Sequence, residues 1–509
     1  MTLRLILALL LTACLAGAQE TGDEKTDEPA AGTTSTPEAS TPEASTGPDS
    51  TNPDMADHLP RPGDTTANET GAGDPPEDQR AWDIDGYLTS RLIYENAANE
   101  DVFRLFVDLN TDIHYRGKVP FMIRVNGRAA WTISDQPDPG DLLYGIWDTF
   151  NGNLEAVLYE AFIAFPKLIN DKSRLVLGRQ FIEEGVYLQY DGGRFDLSLD
   201  HLLSDLVLSV YGGAGVEWGH SDGEEHWLVG ALAKGSIPQW KTRWRVQYLH
   251  VNQYFEGIND PAIGPLVDPV SYPAQTLEDD LFGVTVWQPL TDTARFFGRF
   301  TLLNGDANEL QLRVRWHSKD GQWVVLVDWY QLFQRLFNVT NDLTPYVPML
   351  GSFDPFFRAT AKATWRPQAH LLFELGASWR VLENSEDENT FNHEWFNYYF
   401  TWSWLDLVDQ KMDLTLTASG YDTSGNTQHV ITSSLDYRIK ENLLLSLGLD
   451  YALYKYIWFD NSERENVWTY RGELRWEPKP SLRAVFGVYV DDDRVTTWTY
   501  LVAKLVWKF

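Results

Sequence analysis

Basic side chains recur at every second position in several segments of this 509-residue chain. Arg243 and Arg245 form one such pair, and Arg313 and Arg315 form another. A guanidinium group can bind a carboxylate through two parallel hydrogen bonds, so a row of these groups favours anions. The acidic residues fall more often in the polar segments between these runs, for example at 222–225. The chemistry that this pattern predicts is anion binding.

The residue types that enzymes use are present without the spacing that catalysis requires. The ten His residues are scattered, and no nucleophile-elbow, zinc-protease or paired-Cys motif occurs. The adjacent Glu183 and Glu184 are typical of a solvated loop rather than of an acid–base pair. Neither metal-ligand spacing nor a phosphate-binding glycine loop stands out. The sequence therefore predicts a protein that is not an enzyme and that needs no cofactor.

The segments that carry these cations alternate between apolar and polar residues from Trp82 onward. The period of two is clear in 243–251, 308–317, 357–366 and 468–477. Strict alternation over about ten residues is what a tilted transmembrane β-strand requires, with one face toward lipid and the other toward a wet lumen. The polar alternates would then line a pore. The cations predicted to line it and to bind substrate are Arg124, Arg128, Arg243, Arg245, Arg299, Arg313, Arg315, Arg358 and Lys362.

The connections between these runs alternate in length. Short turns follow an aromatic residue near positions 288, 366, 438 and 477. Longer polar loops are predicted near 253–278, 332–355, 382–392 and 455–465. Short turns at one rim and long loops at the other are typical of outer-membrane barrels. The predicted fold class for residues 81–509 is all-β, a transmembrane antiparallel up-and-down barrel of about 18 strands within a range of 18–22, with 194–199 and 206–212 interpreted as fragments.

Composition excludes several other classes of protein. A formal net charge of −32 argues against a general nucleic-acid binder. A single Cys excludes a disulfide scaffold. After the first twenty residues no apolar run approaches the ~18 residues of a transmembrane helix. Aromatic residues make up 14% of the chain and include 21 Trp, as expected for side chains at membrane interfaces.

The first eighty residues are unlike the rest of the chain. Residues 1–18 have the pattern of a secretory signal peptide, with Arg4, an apolar run and then small residues. Two processing sites compete: cleavage after Ala18, or a lipobox in which Cys14 becomes the lipidated N-terminus. Residues 19–80 are acidic and rich in Ser, Thr and Pro, which predicts a disordered tail that serves as a periplasmic spacer. The predicted location is the bacterial outer membrane.

Short motifs point to a family. One segment ends in Gly178, Arg179 and Gln180, the preceding segment carries Tyr159-Glu-Ala-Phe162, and the chain ends in an alternating run that finishes at Phe509. In these motifs and in its length the chain resembles the alginate-export family of outer-membrane porins. The resemblance implies an 18-stranded barrel whose Arg-lined lumen passes a polyanionic polysaccharide, and it implies that Arg179 is a further pore-lining cation. The acidic N-terminal extension departs from the family pattern.

The predicted function is a channel for passive passage or export of an anionic, alginate-like polysaccharide or of a smaller anionic solute. Two alternatives stay open from the residues alone: a general small-solute diffusion porin, and a structural barrel that sheathes a partner protein. The expected partners are outer-membrane lipid, the anionic polysaccharide or solute, and periplasmic export proteins, with no nucleic acid.

Overall fold

The structure is a computed structural model that describes most of the chain after residue 80. The described ranges are 81–97, 100–134, 154–170, 173–182, 188–199, 203–216, 226–255, 275–334, 355–383, 394–423, 426–458, 461–493 and 496–509. The predicted signal peptide, the lipidation site at Cys14 and the predicted disordered tail lie outside the described residues. So do most of the predicted loops at 253–278, 332–355 and 382–392.

Twenty-two β-strands make up nearly all of the described chain. They are β1 (Trp82–Ala97), β2 (Glu100–Tyr115), β3 (Phe121–Thr132), β4 (Leu154–Pro166), β5 (Arg174–Ile182), β6 (Leu188–Ser198), β7 (Val207–Gly215), β8 (Trp227–Ile237), β9 (Thr242–Phe255), β10 (Gln275–Pro289), β11 (Ala294–Leu303), β12 (Asp306–His317), β13 (Trp323–Leu332), β14 (Phe356–Gln368), β15 (Leu371–Leu382), β16 (Glu394–Asp406), β17 (Met412–Thr423), β18 (Asn426–Lys440), β19 (Leu443–Trp458), β20 (Asn461–Lys479), β21 (Leu482–Asp492) and β22 (Thr497–Lys508). The predicted all-β antiparallel barrel is confirmed, and its 22 strands lie at the upper end of the predicted range of 18–22, above the predicted value of about 18.

Glycine-rich strands explain part of the difference between the predicted and the observed number of strands. The runs 194–199 and 206–212, interpreted as fragments, belong to β6 and β7, which pair from Tyr190↔Gly215 to Ser198↔Val207. Glycine interrupts the alternation by which a strand is recognised, so the pattern understates the length of these two strands. The predicted loop at 455–465 is also wrong, because β19 continues to Trp458 and β20 begins at Asn461.

The barrel is closed by its first and last strands. Strands that follow each other in the chain pair antiparallel, and β22 pairs with β1 from Tyr87↔Lys508 to Asn96↔Thr499. The Gly86 N–H donates to the Phe509 carbonyl, and the Phe509 N–H donates to the Gly86 carbonyl, both at 3.0 Å. Closure removes free strand edges and satisfies backbone groups that would otherwise face lipid. In the described part of the chain, no helix is long and apolar enough to cross a membrane.

Many of the strands have one apolar face and one polar face. On β12, Leu312, Val314 and Trp316 are exposed, whereas Gln311 is buried on the opposite face. Gln311 shares that polar face with Asp328 of β13, which is also buried. We call the apolar face the outer face and the polar face the inner face, because a membrane-spanning barrel turns its apolar side chains toward lipid.

Aromatic side chains gather in two belts on the outer face. Near the short turns, Trp323 stacks on Trp365 with 5.4 Å between the ring centroids. Toward the other rim, Trp329 stacks on Phe357 at 5.3 Å with nearly parallel rings. Aromatic rings of this kind favour the two membrane–water interfaces.

The distance between the belts suits a bilayer. Trp468 and Trp476 are both exposed on the outer face of β20 and are separated by eight residues. Eight residues extend roughly 27 Å along a strand, or about 20 Å along the axis of a barrel whose strands tilt by about 40°. The apolar band of outer-membrane barrels is about 25 Å tall.

The predicted short turns are confirmed and lie at one rim. They join β10 to β11, β14 to β15, β18 to β19 and β20 to β21. The turn between β12 and β13 is built from its own side chains: the Asp320 carboxylate accepts hydrogen bonds from the Ser318 hydroxyl and, at 3.1 Å, from the Gln322 N–H. These hydrogen bonds hold the pKa of Asp320 below its usual value. We call this rim the short-turn rim and the opposite one the long-loop rim.

Candidate functional site: a cationic inner wall

Strand register decides which of the predicted cations share the inner face. Directly paired residues point to the same side of a sheet, so each strand can be assigned from its neighbour. Nine of the ten predicted cations lie on the inner face: Arg124 and Arg128 on β3, Arg243 and Arg245 on β9, Arg299 on β11, Arg313 and Arg315 on β12, and Arg358 and Lys362 on β14. Their contact with a substrate stays a prediction.

The two predicted cations on β3 are neutralised by the neighbouring strand. Arg124 donates through Nε and Nη2 to the two oxygens of Asp112, both at 2.7 Å. Arg128 forms an ion pair with Asp108, which lies four residues before Asp112 on β2. Because each guanidinium has its own carboxylate, this part of the inner face adds little net positive charge.

The strands β8–β15 carry a different balance of charge. The bases that register places on their inner face are Lys234, Arg243, Arg245, Arg295, Arg299, Arg313, Arg315, Arg358, Lys362 and Arg380. The acids placed there are Asp279, Asp306, Glu309, Asp328 and Glu374. The inner face of β8–β15 therefore carries ten bases and five acids, and we call this surface the cationic wall.

Four cations of this wall are exposed and lack a carboxylate partner. Arg243, Arg295, Arg315 and Lys362 are exposed, and none forms an ion pair with a carboxylate of the described ranges. Arg295 lies directly opposite Arg315 in the β11–β12 register. Like charges placed opposite each other destabilise a sheet. A bound anion would relieve this repulsion, so the arrangement is suited to anion binding.

Two other cations of the wall have carboxylate partners. Arg313 donates to Asp328 at 3.0 Å, and Gln311 donates to both oxygens of the same carboxylate at 3.2 and 3.1 Å. Arg299 pairs with Glu309 at 3.2 Å. These acids serve as counter-charges to Arg. Within the described residues, no group of three or more His, Cys, Asp or Glu side chains is placed to hold a metal ion.

Aromatic rings lie beside many cations of the wall. The distances from the charged group to the ring centroid are 5.4 Å for Arg245 and Trp287, 6.0 Å for Arg313 and Phe297, 5.6 Å for Arg358 and Tyr330, 6.0 Å for Lys362 and Tyr399, and 4.2 Å for Arg380 and Phe356. A cation that lies over a ring face is attracted by the electrons of that face. The inner wall thus alternates positive groups with apolar ring faces.

These inward rings and some of the cations were not among the predicted pore-lining residues. Arg380 occupies a polar position of an alternating run in 371–382, so the period of two could have found it. The inward rings carry no such signal, because aromatic residues are common on both faces of a strand. Trp287, interpreted as the aromatic end of a strand before a turn, pairs with Arg243 on the inner face.

Arg179 lies on the outer face, which is opposite to the pore-lining position that the family resemblance implied. It pairs with Ala161 of β4 and Asp191 of β6, and it shares its side of β5 with the exposed Leu177. Its Nε and Nη2 donate to Asp191 at 2.8 and 2.7 Å. The alternation of Leu175, Leu177 and Arg179 in the sequence already favours this side.

No family model and no curated protein matches the chain. Among solved structures, the translocation pore of the P pilus usher PapC has a TM-score of 0.47 at 8% identity over 83% of this chain and 99% of that chain. Pseudomonas aeruginosa OpdK with vanillate gives 0.40 at 10% identity, over 84% and 99%. Pseudomonas aeruginosa OccK2 with glucuronate gives 0.39 at 10% identity, over 84% and 98%.

Proposed function

We propose that this protein is an outer-membrane channel that passes anions along the cationic wall. The observation that carries the proposal is the set of exposed inward cations, Arg243, Arg295, Arg315 and Lys362, without carboxylate partners in the described chain. The closed barrel, its apolar outer face and its two aromatic belts support a position in the membrane.

The expected electrostatic effect is large enough to measure. A unit charge about 7 Å from an ion path contributes about 0.6 kcal/mol in water, which changes the local ion concentration nearly threefold. Several such charges on one wall act together, and low-dielectric walls strengthen their field. The wall therefore favours anions although the whole chain carries a net charge of −32.

For the substrate we propose an anionic, alginate-like polysaccharide, with smaller anionic solutes following the same path. Two exposed cations beside aromatic residues support this choice: Lys362 lies 6.0 Å from the centroid of the Tyr399 ring, and Arg243 pairs with Trp287 in the β9–β10 register. Each pair offers a carboxylate-binding group beside an apolar face, as a chain of uronate rings requires. Periplasmic export proteins would deliver such a chain to the short-turn rim.

Single-channel recording tests both the proposed anion channel and the proposed substrate. We expect the refolded full chain in a planar bilayer under a KCl gradient to prefer anions, and we expect short oligouronates to block the current. The triple variant Arg295→Gln, Arg315→Gln and Lys362→Gln should lower the ratio of chloride to potassium permeability by about sevenfold per charge removed, before screening by salt, because the local chloride concentration falls and that of potassium rises nearly threefold each.

The matched control removes charges without changing their sum. The double variant Arg124→Gln and Asp112→Asn deletes an ion pair from the balanced part of the inner face, so its ion selectivity should equal that of the wild type. An anion-selective current that oligouronates leave unchanged would favour a general diffusion porin. Complete absence of current would overturn the channel and favour a barrel that encloses a partner protein.

A further inference from the structure

The charges of the cationic wall are distributed unevenly along the barrel axis. Eight of its ten bases and two of its five acids lie within six residues of the short-turn end of their strand. The wall residues that lie farther toward the long-loop rim are Arg358, Arg380, Asp279, Asp306 and Glu309. The short-turn half of the wall therefore has a formal charge of +6 and the other half a formal charge of −1. An anion that approaches from the short-turn rim meets the stronger attraction.

Three exposed bases of the short-turn half lie on one row of directly paired residues. The strands β11–β16 contribute one residue each, and successive members of the row face each other in the strand registers. All members lie on the inner face, because directly paired residues point to the same side of a sheet. We call them the mouth row: Arg295, Arg315, Leu326, Lys362, Gly376 and Tyr399.

The mouth row climbs from the short-turn rim into the lumen. Arg295 lies one residue from the short-turn end of its strand, and Arg315 lies two residues from that end. Lys362 lies six residues from the short-turn end of β14, and Tyr399 lies seven from that of β16. Five strand spacings rise about 15 Å along the axis of a barrel whose strands tilt by about 40°. A chain bound along the row would therefore point into the channel.

The three bases of the mouth row are available to a ligand. All three are exposed, and none forms an ion pair with a carboxylate of the described ranges. Two acids on adjoining rows have other hydrogen-bond donors. Asp328 accepts hydrogen bonds from Gln311 at 3.2 Å and from Arg313 at 3.0 Å, and Glu374 accepts one from the Tyr399 hydroxyl at 2.6 Å. The charge of the row is therefore open to an anion in the lumen.

The spacing of these bases suits a chain that carries several charges. Arg295 and Arg315 lie on neighbouring strands, and Lys362 lies two strands beyond Arg315, so the three bases span about 14 Å. A small monoanion contacts one or two of them, whereas a chain with a charge on each unit can contact all three. Once the first charge is bound, the binding of the others is intramolecular and prolongs the residence of the chain.

Apolar groups of the mouth row lie beside its bases. Leu326 is partly exposed and lies between Arg315 and Lys362. The ring of Tyr399, also partly exposed, lies with its centroid 6.0 Å from the Lys362 ammonium. A sugar ring has apolar faces, and a uronate adds one carboxylate to each ring. The row therefore offers both kinds of contact that a polyuronate needs.

We propose that the mouth row is a capture site that binds consecutive carboxylates of a linear polyuronate entering from the short-turn rim, and this rests on the proposed channel function. The short-turn rim is the periplasmic one in outer-membrane barrels. The site binds the leading end of the chain at this rim, and the rise of the row directs that end into the lumen.

Blocking events in single channels of the full chain test the site. Hexauronate is added to one side of a planar bilayer and then, with the voltage reversed, to the other side. We expect blocking events to be about tenfold more frequent from one side, as electrostatic steering predicts. Each event should last at least about ten times longer than with monouronate, because several charges bind together. Equal frequencies from the two sides, or equal durations for the two lengths, would overturn the capture site.

Hexaglutamate tests the assignment of a polyuronate. It carries a similar number of carboxylates without sugar rings, so its blocking events should be shorter than those of hexauronate. Equal durations for the two compounds would overturn the assignment of a uronate chain.

Charge removal at the mouth row locates the site. Arg295→Gln with Arg315→Gln should lower the frequency from the faster side roughly tenfold, at about threefold per charge. Arg295→Lys with Arg315→Lys keeps both charges and should retain most of the wild-type frequency. The matched control is Arg91→Gln with Lys504→Gln, another directly opposed pair of bases, on β1 and β22. It lies eleven strands from β12 around the closed barrel, beyond the Debye length of about 8 Å, so its frequency should equal that of the wild type.

The two proposals fail in different ways. An equal reduction in the glutamine variant and in the control would overturn the mouth row while the ion selectivity of the wild type still supports an anion channel. A wild-type channel without preference for anions would overturn the channel function itself.

Discussion

Single residues of the inner wall are held in place by contacts between glycine and aromatic rings. Tyr399 lies across from Gly376, where a Cβ would be 2.2 Å from the ring. The Tyr399 hydroxyl donates to Glu374 at 2.6 Å, and the ammonium of Lys362 lies 6.0 Å from the ring centroid. The missing side chain at Gly376 therefore lets the Tyr399 ring lie against the wall, where it contacts both Lys362 and Glu374.

Substitution of this glycine tests the contact. Gly376→Ala places a methyl group inside the Tyr399 ring, so the ring must move, and we expect a loss of about 1–3 kcal/mol in the free energy of unfolding. Urea unfolding followed by tryptophan fluorescence measures the loss. Gly472→Ala is the matched control, since nothing lies within 4 Å of its Cβ position, and its stability should stay within about 1 kcal/mol of the wild type. Equal effects of the two substitutions would contradict the role of the ring contact.

Along a strand, neighbouring residues lie on opposite faces, so one faces lipid and the next faces the polar lumen. Leu447 of β19 is exposed on the outer face with Leu449 and pairs with Gly472. Ser446 precedes it on the inner face, where it pairs with Glu473 of β20 and Asp436 of β18. Two adjacent positions therefore face lipid and a polar lumen.

The same substitution at these two positions should have opposite consequences. Leu447→Arg puts a charge into lipid and should cost about 2–4 kcal/mol if the site is near the middle of the bilayer. Ser446→Arg places the charge beside Glu473 and should change the stability by less than about 1 kcal/mol. Reversible unfolding from phospholipid vesicles compares the two variants. A greater loss for the variant at 446 would reverse our assignment of the faces.

The closed barrel depends on the junction between its first strand, β1, and its last strand, β22. The Gly86 and Phe509 backbones exchange two hydrogen bonds, and the Phe509 ring packs on Trp507 with 5.4 Å between centroids. These contacts end the β1–β22 register that turns a sheet into a barrel. The last residue of the chain thus completes the closure.

Removal of that residue should weaken closure. Deletion of Phe509 leaves two backbone groups of Gly86 unpaired, and a net loss of about 0.5–1.5 kcal/mol per hydrogen bond is expected. We expect a lower yield of the folded band in gels run without heating and an earlier midpoint in urea. Phe509→Leu keeps both backbone bonds and should retain most of the stability. A deletion variant that matches the wild type in both measurements would show that closure does not need this residue.

Much of the architecture could be predicted because local sequence encodes the two faces of a strand. The alternation in 308–317 predicts β12 and its inward Arg313 and Arg315 correctly, since a period of two needs no knowledge of neighbouring strands. The same rule fails at β6 and β7, where glycines remove the side chains that make the period visible. These two strands account for part of the difference between the 22 strands and the predicted value of about 18.

What the sequence determined by itself is the type of wall: strands with an apolar face, a polar face rich in Arg, and aromatic residues at their ends. Only the tertiary structure decided where the charges collect, because register joins residues that are distant in the chain. It sets Arg124 against Asp112 and so neutralises it, and it sets Arg295 against Arg315 and so leaves both exposed. It also set Arg179 against Asp191 of β6 on the outer face, a pairing between strands that no local pattern records.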